Sequence, residues 1–396
     1  MEPSTSLLRL LSERPRFRVL FLADALSAIG DWLTYVAVGL LALTGPHGLV
    51  GVALVQMAHA VPQAIASPLA GWLTDRVDRR RLLVIASLAR GSVTVAMAFA
   101  ASRGAVAWVE GLLFLRMAGA AFILAPSRAV LPQLVEVEEL EPANRLLGTS
   151  WAVLFTMGVA LGGVVTGAFG PTTALAVDAA TFAVAALIFT GLGALPPARA
   201  EAGADTSLAA DARAHPDRVV AALAKAPTLF VNGGAWVILH ALVGASAGAA
   251  YGLGGLHAVR GIGNGAGPWF LRRLGPRRMV ALGGLATGVA VMILSLDGAI
   301  AWATGCALWG IGVGATWVGG TVWLQERVPA PVLGRYAALD VGAASGASAS
   351  GGLVAALLCA FAPVWVAACV LAAVGVLGVA ALYRAGAGEQ PPPPPT

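Results

Sequence analysis

The chain has 396 residues, of which 58% are hydrophobic and only 11% are charged. Soluble domains usually carry about 25% charged residues, so this composition excludes an ordinary soluble protein and predicts a polytopic membrane protein. The net charge of +5 does not indicate a nucleic-acid partner, because the basic residues interrupt apolar runs and form no single basic face. The cysteines Cys306, Cys359 and Cys369 lie in apolar runs without metal-ligand spacing, so we expect no metal and no cofactor.

Twelve apolar segments are long enough to span a bilayer, which takes about 20 residues. The predicted spans lie at about 18–43, 49–72, 82–102, 105–125, 145–169, 172–194, 228–248, 251–271, 278–296, 299–323, 336–360 and 363–384. The expected fold is all-α, with twelve transmembrane helices in two six-helix halves at 1–195 and 228–385. A solvated cytoplasmic linker is predicted at 196–227 and a disordered, proline-rich tail at 386–396.

The placement of basic residues tests the predicted spans. With the N-terminus placed in the cytoplasm, 21 lysines and arginines fall on the cytoplasmic side and one, Arg103, falls outside. The other three, Arg90, Arg116 and Arg260, lie within spans. This bias follows the positive-inside rule. We therefore expect a multi-pass protein of the inner (plasma) membrane with both termini in the cytoplasm.

Two similar loops indicate that the halves repeat each other. The stretch GWLTDRVDRRRLL begins at Gly71 after the second span, and GPWFLRRLGPRRMV begins at Gly267 after the eighth. Each places a glycine, apolar residues and several arginines at a cytoplasmic turn. Parallel halves with a substrate site near the midplane are typical of secondary transporters.

The first of these loops resembles the best-known motif of the major facilitator superfamily, G-x-L-x-D-R-x-G-R-R-x-x-L between the second and third helices. Asp78 replaces the central glycine, and the other defined positions match: Gly71, Leu73, Asp75, Arg76, Arg79, Arg80 and Leu83. The resemblance implies that Asp75, with Arg79, gates the transporter by docking near the start of the eleventh helix. A loop that only sets the topology is the alternative. Asp78 is expected to pair locally with Arg80 or Arg81.

Other stretches narrow the resemblance. A second superfamily motif places an arginine and a glycine in the fourth helix, as Arg116 and Gly119 do here. The fifth span, GVALGGVVTG, keeps the glycines of an exporter motif but lacks its proline. Four further stretches resemble the branch of the enterobactin exporter and the macrolide-efflux proteins: SAIGDW, LPQLVEVEELEPANRLLG, DAATFAVAAL and LQERVPAPVLGRYAAL. The resemblance implies an exporter and says nothing about its substrate.

Ionisable residues inside a bilayer are the informative positions, because a central charge costs about 2.5–3.5 kcal/mol on insertion scales. Asp31 lies about 13 residues into the first span and Arg116 about 11 into the fourth, so both fall near mid-membrane. We predict that Asp31 carries the coupling proton and that Arg116 tunes it; a purely structural ion pair is the alternative. Asp24, two turns nearer the cytoplasm, is a candidate proton relay or a solvated wall residue, with Arg90 as a possible partner.

The remaining candidates are weaker. Arg260 is expected to pair with a neighbouring helix or to contact an anionic substrate, and His240 is either a packing or a titrating residue. Trp309 and Trp317, in the tenth span, are candidates for an apolar substrate wall, although interfacial belts explain most tryptophans. Asp178 reads as structural, and Glu110 as interfacial.

These observations favour a proton-coupled antiporter that exports a small amphiphilic compound. The sequence has no GxxxxGK[ST] motif for ATP binding and no HExxH or GxSxG motif for catalysis, so we expect no enzyme. Uptake or facilitated transport is the main alternative, and a membrane sensor or partner subunit with the same fold is a second. The expected partners are a small-molecule substrate, protons and the lipid bilayer, and the protein is expected to be a monomer.

Overall fold

The structure, a computed structural model, describes residues 10–59, 61–136, 139–196, 208–244, 246 and 248–385. The predicted tail at 386–396 lies outside the described residues. We number the α-helices in chain order: α1 Pro15–Thr44, α2 Gly48–Ala58, α3 Val61–Thr74, α4 Arg79–Ser102, α5 Val106–Val130, α6 Leu140–Phe169, α7 Pro171–Thr190, α8 Leu208–Ala214, α9 Pro216–Leu223, α10 Ala226–Val243, α11 Ala249–Leu271, α12 Pro276–Leu294, α13 Ala299–Arg327, α14 Ala330–Phe361 and α15 Val364–Ala385.

Eleven stretches of the described chain are long and apolar enough to cross a membrane. The prediction of an all-α polytopic membrane fold is thereby confirmed. The eleven stretches correspond to all predicted spans except the eighth. That span forms α11, a helix of 23 residues, but glycines together with His257, Arg260 and Asn264 make it less apolar than the others.

Two segments depart from the predicted boundaries. The second span consists of two helices, α2 and α3, and Pro62 stands at the second position of α3, where a missing amide N–H costs least. The predicted linker at 196–227 contains α8 and α9. Ala221, Ala222 and Lys225 are buried at its end. The prediction of a solvated linker is therefore wrong for this part of the chain.

The described residues fall into two compact units, the first within Met1–Glu201 and Leu239–Ile262, the second within Ala202–Ile238 and Gly263–Thr396. In the first unit, α1 packs along α6 and α7, and α4 packs along α5 and α7. One end of this helix group is filled by an apolar cluster that includes Phe17, Leu20, Leu83, Phe189 and Leu192. This packing holds the middle portions of α1, α4, α5 and α7 next to one another.

The second unit has its own helix pairs. The helix α12 packs against α13 and α15. The helices α10 and α14 approach so closely that a Cβ atom on Gly233 would collide with the backbone of Ser348, and one on Gly351 with the backbone of Phe230. Trp309 is fully buried in this unit, and its indole N–H donates a hydrogen bond to the Asn232 side chain at 3.0 Å.

Glycines on two sides of α6 set its contacts within the first unit. Gly158 and Gly162 face α1, and a Cβ atom at position 162 would lie 2.9 Å from the Leu33 Cα atom. Gly163 faces α11, and a Cβ atom there would lie 2.8 Å from the Gly254 Cα atom. Small residues permit such close helix contacts in membranes. The glycine-rich stretch of α6 is thus a two-sided packing surface.

The contact at Gly162 gives a test of this packing. We expect Gly162→Ala to lower the melting temperature of the purified protein, because the added methyl group meets the α1 backbone, which cannot rotate away as a side chain can. The matched control is Gly111→Ala in α5, where an added Cβ atom meets nothing within 4 Å. Helix propensity favours alanine over glycine by about 1 kcal/mol, so the control is expected to melt at the same or a higher temperature. Equal melting temperatures for the two variants would contradict the packing described.

Candidate functional site

Four charged side chains from four helices of the first unit meet in one cluster: Asp31 of α1, Arg90 of α4, Arg116 of α5 and Asp178 of α7. The Arg116 Nη2 atom lies 2.5 Å from a carboxylate oxygen of Asp31 and 2.5 Å from one of Asp178. The Arg90 Nη2 atom donates to both oxygens of Asp31 at 2.8 and 3.1 Å. Arg116 therefore bridges two acids, and Asp31 bridges two bases.

Neutral groups add further hydrogen bonds to this charged cluster. The Thr34 hydroxyl donates to Asp178 at 2.8 Å. The Thr94 hydroxyl accepts a hydrogen bond from Arg116 Nε at 3.1 Å. The Arg90 Nε atom donates to the backbone carbonyl of Arg116 at 3.2 Å. The Phe182 ring lies beside both guanidiniums, 4.5 Å from that of Arg90 and 5.3 Å from that of Arg116.

Two glycines make room for the charged cluster. A Cβ atom at Gly119 would lie 2.9 Å from Cγ of Arg90, so the glycine that follows Arg116 in the family motif clears a path for the neighbouring arginine. A Cβ atom at Gly30 would collide with the Asp178 carboxylate and the Thr181 hydroxyl. The glycine immediately before Asp31 therefore lets the second carboxylate approach α1.

The four charges differ in their access to solvent. The Asp31 side chain is 21% exposed, whereas Arg90 is 3% exposed and Arg116 and Asp178 are fully buried. With all four groups ionised, the cluster has two positive and two negative charges and is neutral, which limits the cost of burying it. Of the four side chains in the cluster, that of Asp31 thus has by far the largest exposed fraction.

Sequence reasoning associated Arg116 with Asp31 as the residue that tunes it, left their direct pairing open, and did not include the other two members of the cluster. Arg90 was considered as a partner of Asp24, and it instead binds Asp31. The Asp24 carboxylate accepts a hydrogen bond from the Ser127 hydroxyl at 3.2 Å. We expect Asp178 to be structural; the structure pairs it with the same arginine as Asp31, a contact that was not predicted. The position of each residue along its helix placed Asp31 and Arg116 at the same depth in the membrane. It did not indicate which faces of the helices are in contact.

Glu110, which we expect near the membrane interface, has a buried side chain. One of its carboxylate oxygens lies 2.6 Å from Nδ1 of His47, which precedes α2. This pair joins the start of α2 to the first turns of α5.

The other predicted site residues are dispersed over both units. In the first unit, His240 and His257 have ring centroids 6.1 Å apart, and the Arg260 guanidinium lies 5.1 Å from the Phe155 ring centroid. In the second unit, Trp309 belongs to the buried core, so no substrate can reach its ring in this conformation. Trp317 remains accessible, with 47% of its surface exposed.

A buried ion pair in the second unit was also missed by the sequence reasoning. Lys225 Nζ lies 2.6 Å from a carboxylate oxygen of Asp340 and donates to the Thr321 hydroxyl at 2.9 Å. The same ammonium group lies 4.7 Å from the Trp317 ring centroid. Lys225 was assigned to the solvated linker because it precedes the apolar run, and its spacing from that run gave no signal of burial.

The loop between α3 and α4 contains the matched superfamily motif. Asp75 is exposed, and Arg76 lies over the Trp72 ring at 4.4 Å. Arg79 is buried, and one of its guanidinium nitrogens donates to the Ala129 carbonyl at 2.9 Å. A Cβ atom at Gly71 would meet nothing within 4 Å, and the Arg80 side chain is half-buried. The gating role of this motif stays a prediction.

Asp78 does not form the local ion pair that we expected. It is the N-cap of α4, and its carboxylate accepts hydrogen bonds from the backbone N–H groups of Arg81 at 3.0 Å and Leu195 at 2.8 Å. Slight burial alone would raise the pKa of Asp78, but these two hydrogen bonds and the positive charges of Arg80 and Arg81 hold its pKa below the usual value. The residue that departs from the family motif thus caps the start of α4 and binds the segment that follows α7 to it.

Removal of Arg116 tests the charge balance of the cluster. We expect Arg116→Ala to lower the free energy of unfolding by about 3–5 kcal/mol, because it leaves buried Asp178 without its cation. The measurement is thermal unfolding of the purified protein in detergent. Arg103→Ala is the control, since Arg103 is an exposed loop residue beside the Phe99 ring. An Arg116→Ala protein as stable as the control would show that the cluster contributes little to stability.

The cap at Asp78 makes a pH-dependent prediction. Asp78→Ala is expected to cost about 1 kcal/mol at pH 7, whereas Asp78→Asn, which keeps a capping oxygen, costs less. Because the folded-state pKa is lowered, the contribution of the charge is present above the usual value of about 3.9 and is lost as pH falls through the folded value. The stability difference between wild type and Asp78→Ala should therefore shrink between pH 7 and about pH 3. A difference that stays constant over this range would exclude a charged cap.

Comparison with known proteins agrees with this architecture. The chain is 25% identical over 187 residues to the MFS-type transporter YfiS of Bacillus subtilis (strain 168), covering 44% of the chain and 43% of YfiS. It is 31% identical over 192 residues to the MFS-type transporter y4rN of Sinorhizobium fredii, covering 48% of the chain and 47% of y4rN. The chain thus spans just under half the length of these curated relatives.

Solved structures and a family model extend the comparison to nearly the whole chain. An auto-inhibited peptide transporter of the POT family superposes with a TM-score of 0.78 at 12% identity, covering 96% of this chain and 99% of that one. The nucleoside transporter NupG gives a TM-score of 0.73 at 14% identity, covering 95% and 100%. At such low identity these likenesses show the fold. The model of the transmembrane secretion effector family, MFS_3, matches residues 10–390, so the chain belongs to this family of multi-pass MFS-type membrane transporters.

Proposed function

We propose that the protein is a proton-coupled antiporter that exports a small amphiphilic compound, with Asp31 as the proton carrier. The observation that carries this proposal is the position of Asp31. It is the accessible member of a neutral cluster whose other three charges are buried. Ionisable residues at such positions in membrane proteins commonly mark proton or substrate pathways.

Protonation of Asp31 changes the balance of the cluster. The neutral carboxyl group no longer attracts Arg90 and Arg116 strongly, whereas Asp178 still holds Arg116. The link from α1 to α4 and α5 therefore weakens, and the link from α7 to α5 persists. A proton at Asp31 thereby biases the position of α1, which is the kind of differential contact that shifts a two-state equilibrium. Asp24, nearer the cytoplasm along α1, is the proposed relay.

Three observations support outward transport. The matching family is that of transmembrane secretion effectors. The helix α6 has the glycines of the exporter motif, and they pack against neighbouring helices on two of its sides. The resemblance of several stretches to the enterobactin-exporter and macrolide-efflux branch agrees with this direction.

We propose that the protein lies in the inner membrane as a monomer with both termini in the cytoplasm. We also propose that Gly71, Asp75, Arg76, Arg79 and Arg80 form its cytoplasmic gating motif.

Candidate substrate contacts are proposed for each unit separately, from the accessibility and charge of its side chains. Trp317 offers an exposed aromatic face beside Lys225 in the second unit. Arg260 and His240 remain candidates in the first unit, where Arg260 lies over the Phe155 ring and His240 lies beside the His257 ring. Trp309 is left out of this proposal because its side chain is buried in the core of its unit.

Proton coupling can be tested in inverted membrane vesicles that hold an acid interior. A panel of amphiphilic compounds is added, and the release of the pH gradient is followed with a fluorescent weak base. An exported compound makes the wild-type vesicles release protons, and we expect Asp31→Asn to abolish this release because the amide cannot carry a proton. Asp297→Asn, which alters an exposed aspartate, is the matched control and should respond as the wild type does.

Two outcomes would change the proposal. Proton release by Asp31→Asn at the wild-type rate would exclude Asp31 as the carrier. Compound accumulation in intact cells that requires the proton gradient, with no accumulation in inverted vesicles, would establish uptake in place of export.

A further inference from the structure

Arg277, in the first turn of α12, lies between two aromatic rings of the second unit. Its guanidinium is 5.3 Å from the ring centroid of Trp323 in α13 and 5.4 Å from that of Tyr383 in α15. One guanidinium nitrogen donates a long hydrogen bond of 3.4 Å to the backbone carbonyl of Tyr383. The Nε atom is buried and has no hydrogen-bond partner among the described residues. The two rings thus position a guanidinium that has unused hydrogen-bond donors.

Arg277 also has no anionic partner in the described part of the chain, since none of the ion pairs found there includes it. The segments around it, 271–281 and 379–385, contain five arginines and no acidic residue. Glu326, the acidic residue of α13, is exposed. A partly buried guanidinium without a counterion favours the binding of an anion, because burial has removed water that nothing replaces.

A shallow pocket lies beside this arginine and contains about 210 Å³ of space open to its surroundings. Arg277 and the two rings line it together with apolar side chains of α12 and α15: Val280, Ala281, Val379 and Leu382. All of these residues belong to the second unit. The pocket therefore combines one positive charge with an apolar and aromatic wall.

Exposed apolar stripes connect the pocket with the lipid-facing surface of two membrane-spanning helices. The stripe on α12 consists of Leu282, Leu285, Val289 and Met292. Arg278, exposed and adjacent to Arg277, stands one turn before it on the same face. On α15, Leu377 is 69% exposed, and exposed Arg384 follows Tyr383 on the face of Leu377. Such stripes face acyl chains and arginines at their ends reach the headgroups, so the pocket lies at headgroup level.

We propose that this pocket binds the headgroup phosphate of an anionic phospholipid. A guanidinium binds phosphate through charge-assisted hydrogen bonds, and basic pockets between transmembrane helices bind anionic headgroups. The phosphate supplies the counterion that Arg277 lacks, and the acyl chains lie along the apolar stripes of α12 and α15. The surplus of arginines disfavours the second, positive charge of a zwitterionic lipid. The bound lipid fastens α12 to α15 at the membrane surface.

The test is binding of dioleoylphosphatidylglycerol to the purified, delipidated full-length protein in detergent, followed by native mass spectrometry. Dioleoylphosphatidylcholine is the matched lipid, with the same chains and phosphate but no net charge. We expect phosphatidylglycerol to bind at least about fivefold more tightly, since one arginine near a lipid surface contributes about 1 kcal/mol to the attraction. Phosphatidylglycerol should also raise the melting temperature more than phosphatidylcholine does. Inorganic phosphate in large excess should not displace the lipid, because it lacks the acyl chains.

Variants assign the binding to the pocket. Arg277→Gln should weaken phosphatidylglycerol binding by about fivefold and abolish the preference over phosphatidylcholine, whereas Arg277→Lys, which keeps the charge, should retain most of it. Arg81→Gln is the matched control, because Arg81 is an exposed arginine in the first turn of α4 and also lies in an arginine-rich loop. It should bind both lipids as the wild type does. Melting temperatures without added lipid check that each variant is folded.

Equal affinities of the wild type for the two lipids would overturn the inference. So would equal phosphatidylglycerol affinities of Arg277→Gln and Arg81→Gln, because general attraction to a basic surface would then explain the binding. Displacement of the lipid by inorganic phosphate would overturn it in favour of a site for a soluble anion. The measurement involves no transported compound and no pH gradient, so these outcomes are distinct from a failure of the proposed proton coupling.

Discussion

The pairing of charges inside the first unit constrains much of its architecture. Two carboxylates and two guanidiniums lie among apolar helices, where a single unpaired charge costs several kcal/mol. Their mutual contacts require α1, α4, α5 and α7 to stay in one relative arrangement. Gly30 and Gly119 are part of the same requirement, because a side chain at either position would displace a member of the cluster. Charge neutrality and close packing are thus achieved at the same few residues.

The arrangement of the four charges also makes α1 the helix whose contacts depend most on the charge of Asp31. Asp178 and Arg116 are fully buried and form an ion pair between α7 and α5, to which α1 contributes the neutral Thr34 hydroxyl. Asp31, by contrast, is partly exposed and connects α1 to both arginines. Close glycine contacts bring α6 against the other side of α1. A change at Asp31 therefore acts on a helix that is held by electrostatics on one side and by tight backbone packing on the other.

The features that could be predicted from the sequence are those that depend on local patterns along the chain. Apolar run lengths and the positions of arginines predicted the spans, and helical rise placed Asp31 and Arg116 at the same depth. Arg90 and Asp178 could not be assigned to that pair, because depth does not define which helix faces are in contact. Lys225 was misplaced for a related reason: its burial depends on Asp340, which lies more than a hundred residues later in the chain. Asp78 did carry a usable local signal, since aspartate is a favoured N-cap before a helix.

Asp31 and Trp32 are neighbours in sequence, yet they serve different contacts of α1. Neighbouring residues on a helix point about 100° apart. Asp31 faces the arginines of α4 and α5, while Trp32 faces the rings of His59 and of α6. A neutral carboxyl group at Asp31 would weaken the attraction to the arginines and leave the aromatic contacts unchanged. The charge of this one residue therefore acts on one face of α1, while another face keeps its packing against α6.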